Sequence, residues 1–453
     1  MDFRPAYHYR PKENWVNDPN GLIHYSDKYH LYFQYNPHGD QWGDIHWGHA
    51  VSCDMVHWET HPIAMEPATQ LGEIHCFSGS ACKDSDGRPV FYYTSIGKEE
   101  EGRGGKDGAQ QWIATPSNDM DWLSQTSAHV MLPAMHGDLK VQEWRDPYVI
   151  RHGGRTLMVL GCRLEDSCGA CLLYTSENGL DFTYHSVLAQ DESGSDYAWE
   201  CPNFFPLDDK FVLFYSPFKA THYIIGDLSD DLRFSPVARG VLDEAAWEGF
   251  YAPQAFADTH DRGIVIGWSP DAARGDWQGI TGWSGCFALP REMYIENNVL
   301  KMRVIPEIRK LESDTKVGLL PLLEEDEGGQ YVLRLDVELE ERGAVQADVL
   351  RSKDGQMFTR IRVEADGHMS LIREHSTAHE GVHTFVLERQ LAPMNGKAHI
   401  EIYVDHSIVE ASCNGEWITA RVYPSQEDCT GVAVALTQAA GSYELAQMEN
   451  CRK

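Results

Sequence analysis

Five segments of this chain repeat one layout: a small or polar opening, a short strand, a tight turn, then an apolar or aromatic strand. The first opens at Asp18-Pro-Asn-Gly21, turns at Ser26-Asp-Lys28 and continues as Tyr29-His-Leu-Tyr-Phe-Gln-Tyr35. The others open at Phe77-Ser-Gly-Ser-Ala81, Arg145-Asp-Pro-Tyr148, Cys201-Pro-Asn-Phe204 and Tyr251-Ala-Pro-Gln254. Each returns through an apolar strand such as Phe211-Val-Leu-Phe-Tyr-Ser216. A third element recurs at 48–58, 112–122, 172–182 and 223–234: a strand, a polar Ser/Asn/Asp turn, and a returning strand that begins with an aromatic residue. The period, about 50–70 residues, accommodates four short strands with their loops. One such unit cannot bury both faces alone, and radial stacking of several does so. The repeat therefore predicts an all-β fold built on a five-bladed β-propeller.

The pattern stops near Leu289-Pro-Arg-Glu-Met-Tyr-Ile295, and a polar stretch follows. From about residue 317 the rhythm changes to period-two alternation, in Tyr331-Val-Leu-Arg-Leu-Asp-Val-Glu-Leu339, His399-Ile-Glu-Ile-Tyr-Val404 and Trp417-Ile-Thr-Ala-Arg-Val422. Charged outward positions on such strands fit two sheets that each bury one face. The expected organisation is a propeller over 1–305, a linker over 306–316 and a C-terminal β-sandwich over 317–453.

Charge removes whole classes of partner. With 38 basic against 69 acidic side chains, the net charge of -31 disfavours nucleic acid and anionic membranes. No apolar run approaches the roughly 18 residues of a membrane span. The chain opens without a basic segment leading into an apolar stretch, and its 11 cysteines are odd in number and lack paired spacing. Those features predict reduced thiols and a cytoplasmic location. Cys168-Gly-Ala-Cys171, with Cys162 nearby, is the one C-x-x-C, and without a second ligand pair it reads as buried thiols in a strand pair. His46 and His49 are three apart, which in strands gives no common face, so no metal and no cofactor are expected.

In a propeller the opening strand of each blade lines the central channel, so groups at equivalent positions converge at one mouth. Asp18 and Asp146 lie in the first and third openings, and Glu200 just precedes the fourth. An isolated Asp in a turn ordinarily caps its own backbone. Three carboxylates at matching repeat positions suit glycoside hydrolysis, in which one carboxylate attacks or activates water and a protonated one donates to the leaving oxygen. The acid needs a raised pKa. Glu200, between Trp199 and Cys201-Pro202, has the drier sequence neighbours; Asp18, among Asn17, Pro19 and Asn20, has the more polar ones. That asymmetry points to Glu200 as acid and Asp18 as nucleophile.

Trp15-Val-Asn-Asp-Pro-Asn-Gly21, Trp144-Arg-Asp-Pro147 and Glu200-Cys-Pro202, in this order, resemble the family 32 glycoside hydrolases, the invertase and β-fructofuranosidase group. The resemblance continues through Phe33-Gln-Tyr-Asn-Pro37, Trp47-Gly-His-Ala50, Phe77-Ser-Gly-Ser80, Tyr251-Ala-Pro-Gln254, Leu289-Pro-Arg-Glu292 and Tyr403-Val-Asp-His-Ser-Ile-Val-Glu410. It implies a five-bladed propeller with an appended β-sandwich and a retaining mechanism on terminal β-linked fructofuranosyl units. It further implies that Asp18 is the nucleophile, Glu200 the acid/base and Asp146 the transition-state stabiliser. Asn17, Gln34, Trp42, Phe77, Ser78, Arg145 and Tyr251 resemble the residues that enclose the fructosyl ring. Val16 and Trp144 depart from the family's usual Met and Phe, both apolar exchanges.

Two rival classes use the same pocket. A non-catalytic sugar-binding propeller would not need the three carboxylates. A related inverting glycosidase, acting for example on arabinans, would separate its carboxylates by roughly 6.5–9.5 Å rather than 5–5.5 Å. The leaving-group side is open between sucrose, sucrose 6-phosphate, kestose-type oligosaccharides and inulin, as is hydrolysis against fructosyl transfer. A phosphorylated substrate calls for clustered cations, for which Arg103, Lys106, Lys219 and Arg274 are the candidates. The Gly-rich segment 97–108 lacks the ending of a phosphate loop and reads as a surface loop. The expected partner is a small carbohydrate, with self-association, if any, through the sandwich.

Overall fold

A computed structural model describes residues 3–98, 108–165, 168–256, 262–324, 326–394 and 396–451. It is an all-β chain with a propeller arrangement, and only short 3-10 turns interrupt the strands. Five opening strands, Asn14–Tyr25, Glu73–Lys83, Val141–His152, Glu200–Leu207 and Tyr251–Ala255, lie against one another in a closed ring. Each then pairs outward with the antiparallel strands that follow it in sequence. Ring closure is helped by Trp283–Ser284, which pairs in parallel with the start of the first strand, Asn14 opposite Trp283 and Trp15 opposite Ser284.

The hydrogen bonding does not draw five separate blades followed by a separate C-terminal domain. Four blade sheets stand alone, and the strands from Glu200–Leu207 to Phe234–Asp243 continue into a 14-stranded sheet that contains the C-terminal strands. The junction is one parallel bridge, Asp243 to Trp417. It forms because the buried Asp243 carboxylate accepts from Thr419 Oγ1 at 2.6 Å and from Arg291 Nη1 at 3.0 Å, which draws the blade edge onto the C-terminal strand.

Beyond the propeller, the 22-residue strand Gln330–Arg351 pairs along its first half with Lys397–Asp405 and along its second with Thr359–Glu364. Gly431–Met448 accompanies it on the other side. The expected linker, 306–316, is only partly a connector. Pro306–Leu311 is a short 3-10 turn, but Glu312–Leu319 is a strand whose Glu312 pairs with Met448 and Lys316 with Leu445. One apolar core runs from the propeller to Trp417, Tyr403 and Ala446, and a second fills the C-terminal strands around Leu333, Val345, Ile361 and Val409. Cys162 and Cys171 lie on adjacent strands, Arg155–Leu164 and Cys168–Ser176, where burial pushes their thiols up.

Candidate active site

Every opening strand carries a bulge at its channel end, and the bulges aim the site residues. Ladder register breaks between Val16 and Pro19, Cys76 and Gly79, Glu200 and Asn203, and Tyr251 and Gln254, and opposite Arg145 to Tyr148 in the third strand. Proline lacks a ladder donor and is tolerated in a strand at such breaks. That explains the recurring Asp18-Pro19, Asp146-Pro147, Cys201-Pro202 and Ala252-Pro253, with Ser78-Gly79 in their place in the second strand. Asp146, Cys201 and Ala252 take positive φ of 63°, 46° and 43°. The residues two before the proline or glycine are Asn17, Phe77, Arg145, Glu200 and Tyr251, and all five line one cavity of about 320 Å³.

Asp18, Gln34, Trp42 and Asp146 line the same cavity, together with Trp15, Trp247 and Trp268. Asp18 is held by converging donors: Asn17 Nδ2 reaches Oδ1 at 3.1 Å, while Ser78 Oγ and Gln34 Nε2 reach Oδ2 at 2.5 and 3.3 Å. Gln34 also donates to Ser78, and Asn17 to Gln34 at 2.9 Å. Ser78 does not line the cavity; it is buried behind Asp18 and orients it. Burial pushes Asp18 above the usual carboxylate range, the Glu200 charge adds to this, and the Ser78 and Asn17 hydrogen bonds oppose it.

Asp146 accepts the backbone N–H of Cys201 at 2.9 Å, and the Cys201 thiol contacts both Asp146 and Asp18, at 3.6 and 3.4 Å. Burial pushes Asp146 up to about 7 against the pull of Arg145, with the Glu200 and Asp18 carboxylates adding to the rise. Glu200 accepts from Arg145 Nη2 at 2.7 Å and from the Tyr251 hydroxyl at 2.6 Å. Its sequence neighbour does not dry it. Trp199 turns away, stacking on Tyr215 at 3.6 Å and donating to Asp196 at 2.9 Å, so the environment of Glu200 is polar and hydrogen-bonded. Trp199 precedes the strand Glu200–Leu207 and packs its ring on Tyr215, so sequence adjacency does not dry Glu200.

Trp42, half exposed, stands at the rim edge-on to Phe77 at 6.2 Å. Trp247 stacks on Tyr251 at 4.4 Å, and Trp268 meets Trp247 and Trp15 edge-on. Trp247, Trp268 and Cys201 were not singled out from the sequence. Cys201 occupies the repeat position of Asp18 and Asp146 and was legible there, whereas Trp247 lies in an irregular segment with no period. Of the candidate phosphate-binding cations, Lys219 is engaged by Asp196 and the Ser195 carbonyl, and Arg274 by the Ile280 carbonyl and Asp271. Arg103 and Lys106 lie outside the described residues, as does most of segment 97–108. Among the described residues, the one cation lining the cavity is Arg145, which is paired with Glu143 and Glu200.

A larger groove of about 760 Å³ includes Glu292, Tyr294, Lys301 and Arg303. Its Lys301, Arg303 and Arg309 are paired with Glu296, Glu292 and Glu444. Among the described residues no helix is long and apolar enough to cross a membrane.

The chain matches the sequence model of the glycosyl hydrolases family 32 N-terminal domain over residues 8–306 and that of the family 32 C-terminal domain over 300–450. It is 30% identical to a sucrose-6-phosphate hydrolase of Escherichia coli over 94% of this chain and 90% of that one. It is 32% identical to a raffinose invertase of Escherichia coli over 68% of this chain and 66% of that one. In fold it is similar to fructan 1-exohydrolase IIa from Cichorium intybus, with a TM-score of 0.87 and 22% identity over 99% of this chain and 98% of that one.

Proposed function

The chain belongs to family 32 of the glycosyl hydrolases and is a fructose-releasing glycoside hydrolase, and on that premise we propose that it cleaves terminal β-linked fructose from sucrose and short fructooligosaccharides with retention. The observation that carries this reading is the seating of Asp18, Asp146 and Glu200 around one cavity of sugar size. Asp18, oriented by Asn17, Gln34 and Ser78, attacks the anomeric carbon. The glycosidic C–O bond breaks, its electron pair goes to the leaving oxygen, and Glu200 delivers the proton. Glu200 then deprotonates water, which displaces Asp18 from the fructosyl ester. Asp146 and Arg145 hold fructosyl hydroxyls; Trp42 and Phe77 offer apolar faces to the ring.

The fold reading that goes with it counts Glu200–Leu207 to Phe234–Asp243 as a fifth blade, because its opening strand completes the inner ring and supplies a site residue. The C-terminal strands are read as a β-sandwich around their own core. A cytoplasmic location is supported by 11 cysteines that stand as thiols. Self-association through the C-terminal strands is supported by exposed Val317, Leu319 and Leu323. Among the described residues the cation lining the cavity is already paired with Glu143 and Glu200, which supports a non-phosphorylated leaving group.

Initial rates of fructose release from sucrose, sucrose 6-phosphate, 1-kestose and inulin, with Asp18→Ala as blank, test the reading. Sucrose and 1-kestose are expected to give the highest kcat/KM, with release abolished in the blank. A higher kcat/KM for sucrose 6-phosphate would overturn the leaving-group assignment. Release that persists in Asp18→Ala would overturn the mechanism.

A further inference from the structure

Three histidines of the first sheet gather on one face, and none lines the catalytic cavity. They come from neighbouring strands: His30 from Lys28–Asn36, His49 from His46–Ser52 and His61 from Glu59–Met65. Register sets His49 opposite both Tyr32 and His61. Asp121 approaches from the second sheet, in the turn between Gln110–Pro116 and Leu123–Met131. That turn is tied to the first sheet by the Tyr32 hydroxyl, which donates to the Met120 carbonyl at 2.8 Å. Asp121 Oδ1 lies 2.6 Å from His61 Nδ1 and 3.4 Å from His49 Nδ1. One ligand atom from each of the three residues falls within 4.8 Å of the others.

The proton inventory of this cluster is one short. His30 donates to the Tyr25 backbone, so a neutral His30 presents Nδ1 as an acceptor, 3.0 Å from His49 Nε2. His49 then carries its proton on Nε2, and its Nδ1 is a bare lone pair. That nitrogen is fully buried, has no hydrogen-bond partner and faces the Asp121 carboxylate, another acceptor. A cation between the three groups satisfies every one of them.

We propose that His49, His61 and Asp121 form a binding site for a divalent cation of the zinc type, clipping the first sheet to the second. Two imidazole nitrogens and a carboxylate oxygen, with a fourth position left to water, suit such an ion. His30 accepts from the ligand His49 and fixes its tautomer, as groups behind metal-binding histidines do. The Tyr32 ring, stacked on His49 at 4.2 Å and 4°, holds the imidazole plane. The expectation of no metal at His49 rested on its spacing from His46; the partner is instead His61, directly across the ladder.

Equilibrium dialysis of the full chain against Zn²⁺ tests this, alongside Asp121→Asn, His61→Gln, His30→Gln and His46→Gln. Wild type and His46→Gln are expected to retain one tightly held zinc ion per chain. Asp121→Asn and His61→Gln lose it, and His30→Gln binds about 10–100-fold more weakly. Melting curves without zinc check that each variant is folded. The zinc anomalous signal in crystals of the wild-type chain guards against misfolding of any variant. A peak between the three side chains supports the site; a peak only elsewhere, no retained zinc, or equal affinity in all five proteins overturns it.

Discussion

At Asp18 and Asp146, burial and hydrogen bonding pull the protonation equilibrium in opposite directions, and burial prevails. Double displacement needs Asp18 ionised, and the neighbouring Glu200 charge adds to the rise at both Asp18 and Asp146. The acid limb of kcat/KM is therefore expected above the ordinary Asp range of about 4, and a pH–rate profile with that limb at or below the ordinary value would contradict it. Ser78→Ala removes a donor that stabilises the Asp18 anion, so the limb moves to higher pH. Asp146 carries a stability consequence as well. Its folded-state pKa, about 7, lies above the unfolded one, so its contribution is present at low pH and is lost as pH rises through 7. Asp146→Asn is thus expected to melt above wild type near pH 8, with no advantage near pH 4, while turnover collapses. Melting curves at the two pH values check the sign. Asp18 and Asp146 were readable in the sequence because they recur at one place in the repeat, whereas Glu200 stands one residue earlier in its repeat, at the place of Asn17 and Arg145. Their protonation was not, since it depends on solvent exclusion by residues far away in the chain.

Elements position these residues through the bulges, and the bulges leave little room behind them. Gly161 lies opposite Arg145 in the ladder, and a Cβ there would sit 2.1 Å from the Trp199 carbonyl oxygen, one residue before Glu200. Gly161→Ala must push that backbone aside, at a cost of about 1–3 kcal/mol, and Glu200 moves with it. Urea melts and kcat should fall together in this variant; a lowered midpoint with intact kcat would separate Glu200 from the contact. The X-Pro dipeptides mark four of the bulges, since proline cannot sit in an unbroken ladder. Trp247 and Trp268 were not announced. Trp268 reaches the cavity because its strand pairs it with Tyr251, and Trp247 because an irregular segment stacks it on the same ring.

At the scale of the whole molecule, the two late motifs of the sequence meet in a buried charge network between propeller and C-terminal strands. Arg291 donates to Asp243, to Glu410 at 2.9 Å and to Thr419 at 2.7 Å, with its guanidinium over Trp417. Asp405 accepts the backbone N–H groups of Ala6, Tyr7 and His8, and the His8 ring bridges Asp405 and Glu410 at 2.9 and 3.1 Å. Removing one member of such a set strands its partners, so Arg291→Ala is expected to cost about 3–5 kcal/mol, read from denaturant midpoints. Burial lowers the His8 pKa, but its bonds to Asp405 and Glu410 more than reverse this, so the net shift is upward. Glu410 is lowered to about 2 by Arg291 and His8 despite its burial. The His8 contribution is complete below about 6.5 and is lost as pH rises beyond it. The Glu410 contribution is complete above about 4.5 and is lost as pH falls toward 2. Stability should therefore peak between those limits, and His8→Gln should flatten the alkaline side; an unchanged alkaline slope would remove His8 from the account.

The sequence by itself determined the all-β class, the repeat, the family and the three carboxylates proposed for catalysis, because each is a matter of residue type at a local period or in a short motif. Tertiary structure alone decided which groups come within bonding reach of one another. His49 found His61 and Asp121 rather than His46, Ser78 went behind Asp18 rather than into the cavity, and the strands from Glu200–Leu207 to Phe234–Asp243 joined the C-terminal sheet through Asp243. Each of these depends on strand register and on burial contributed by distant segments, and periodicity along a chain carries neither.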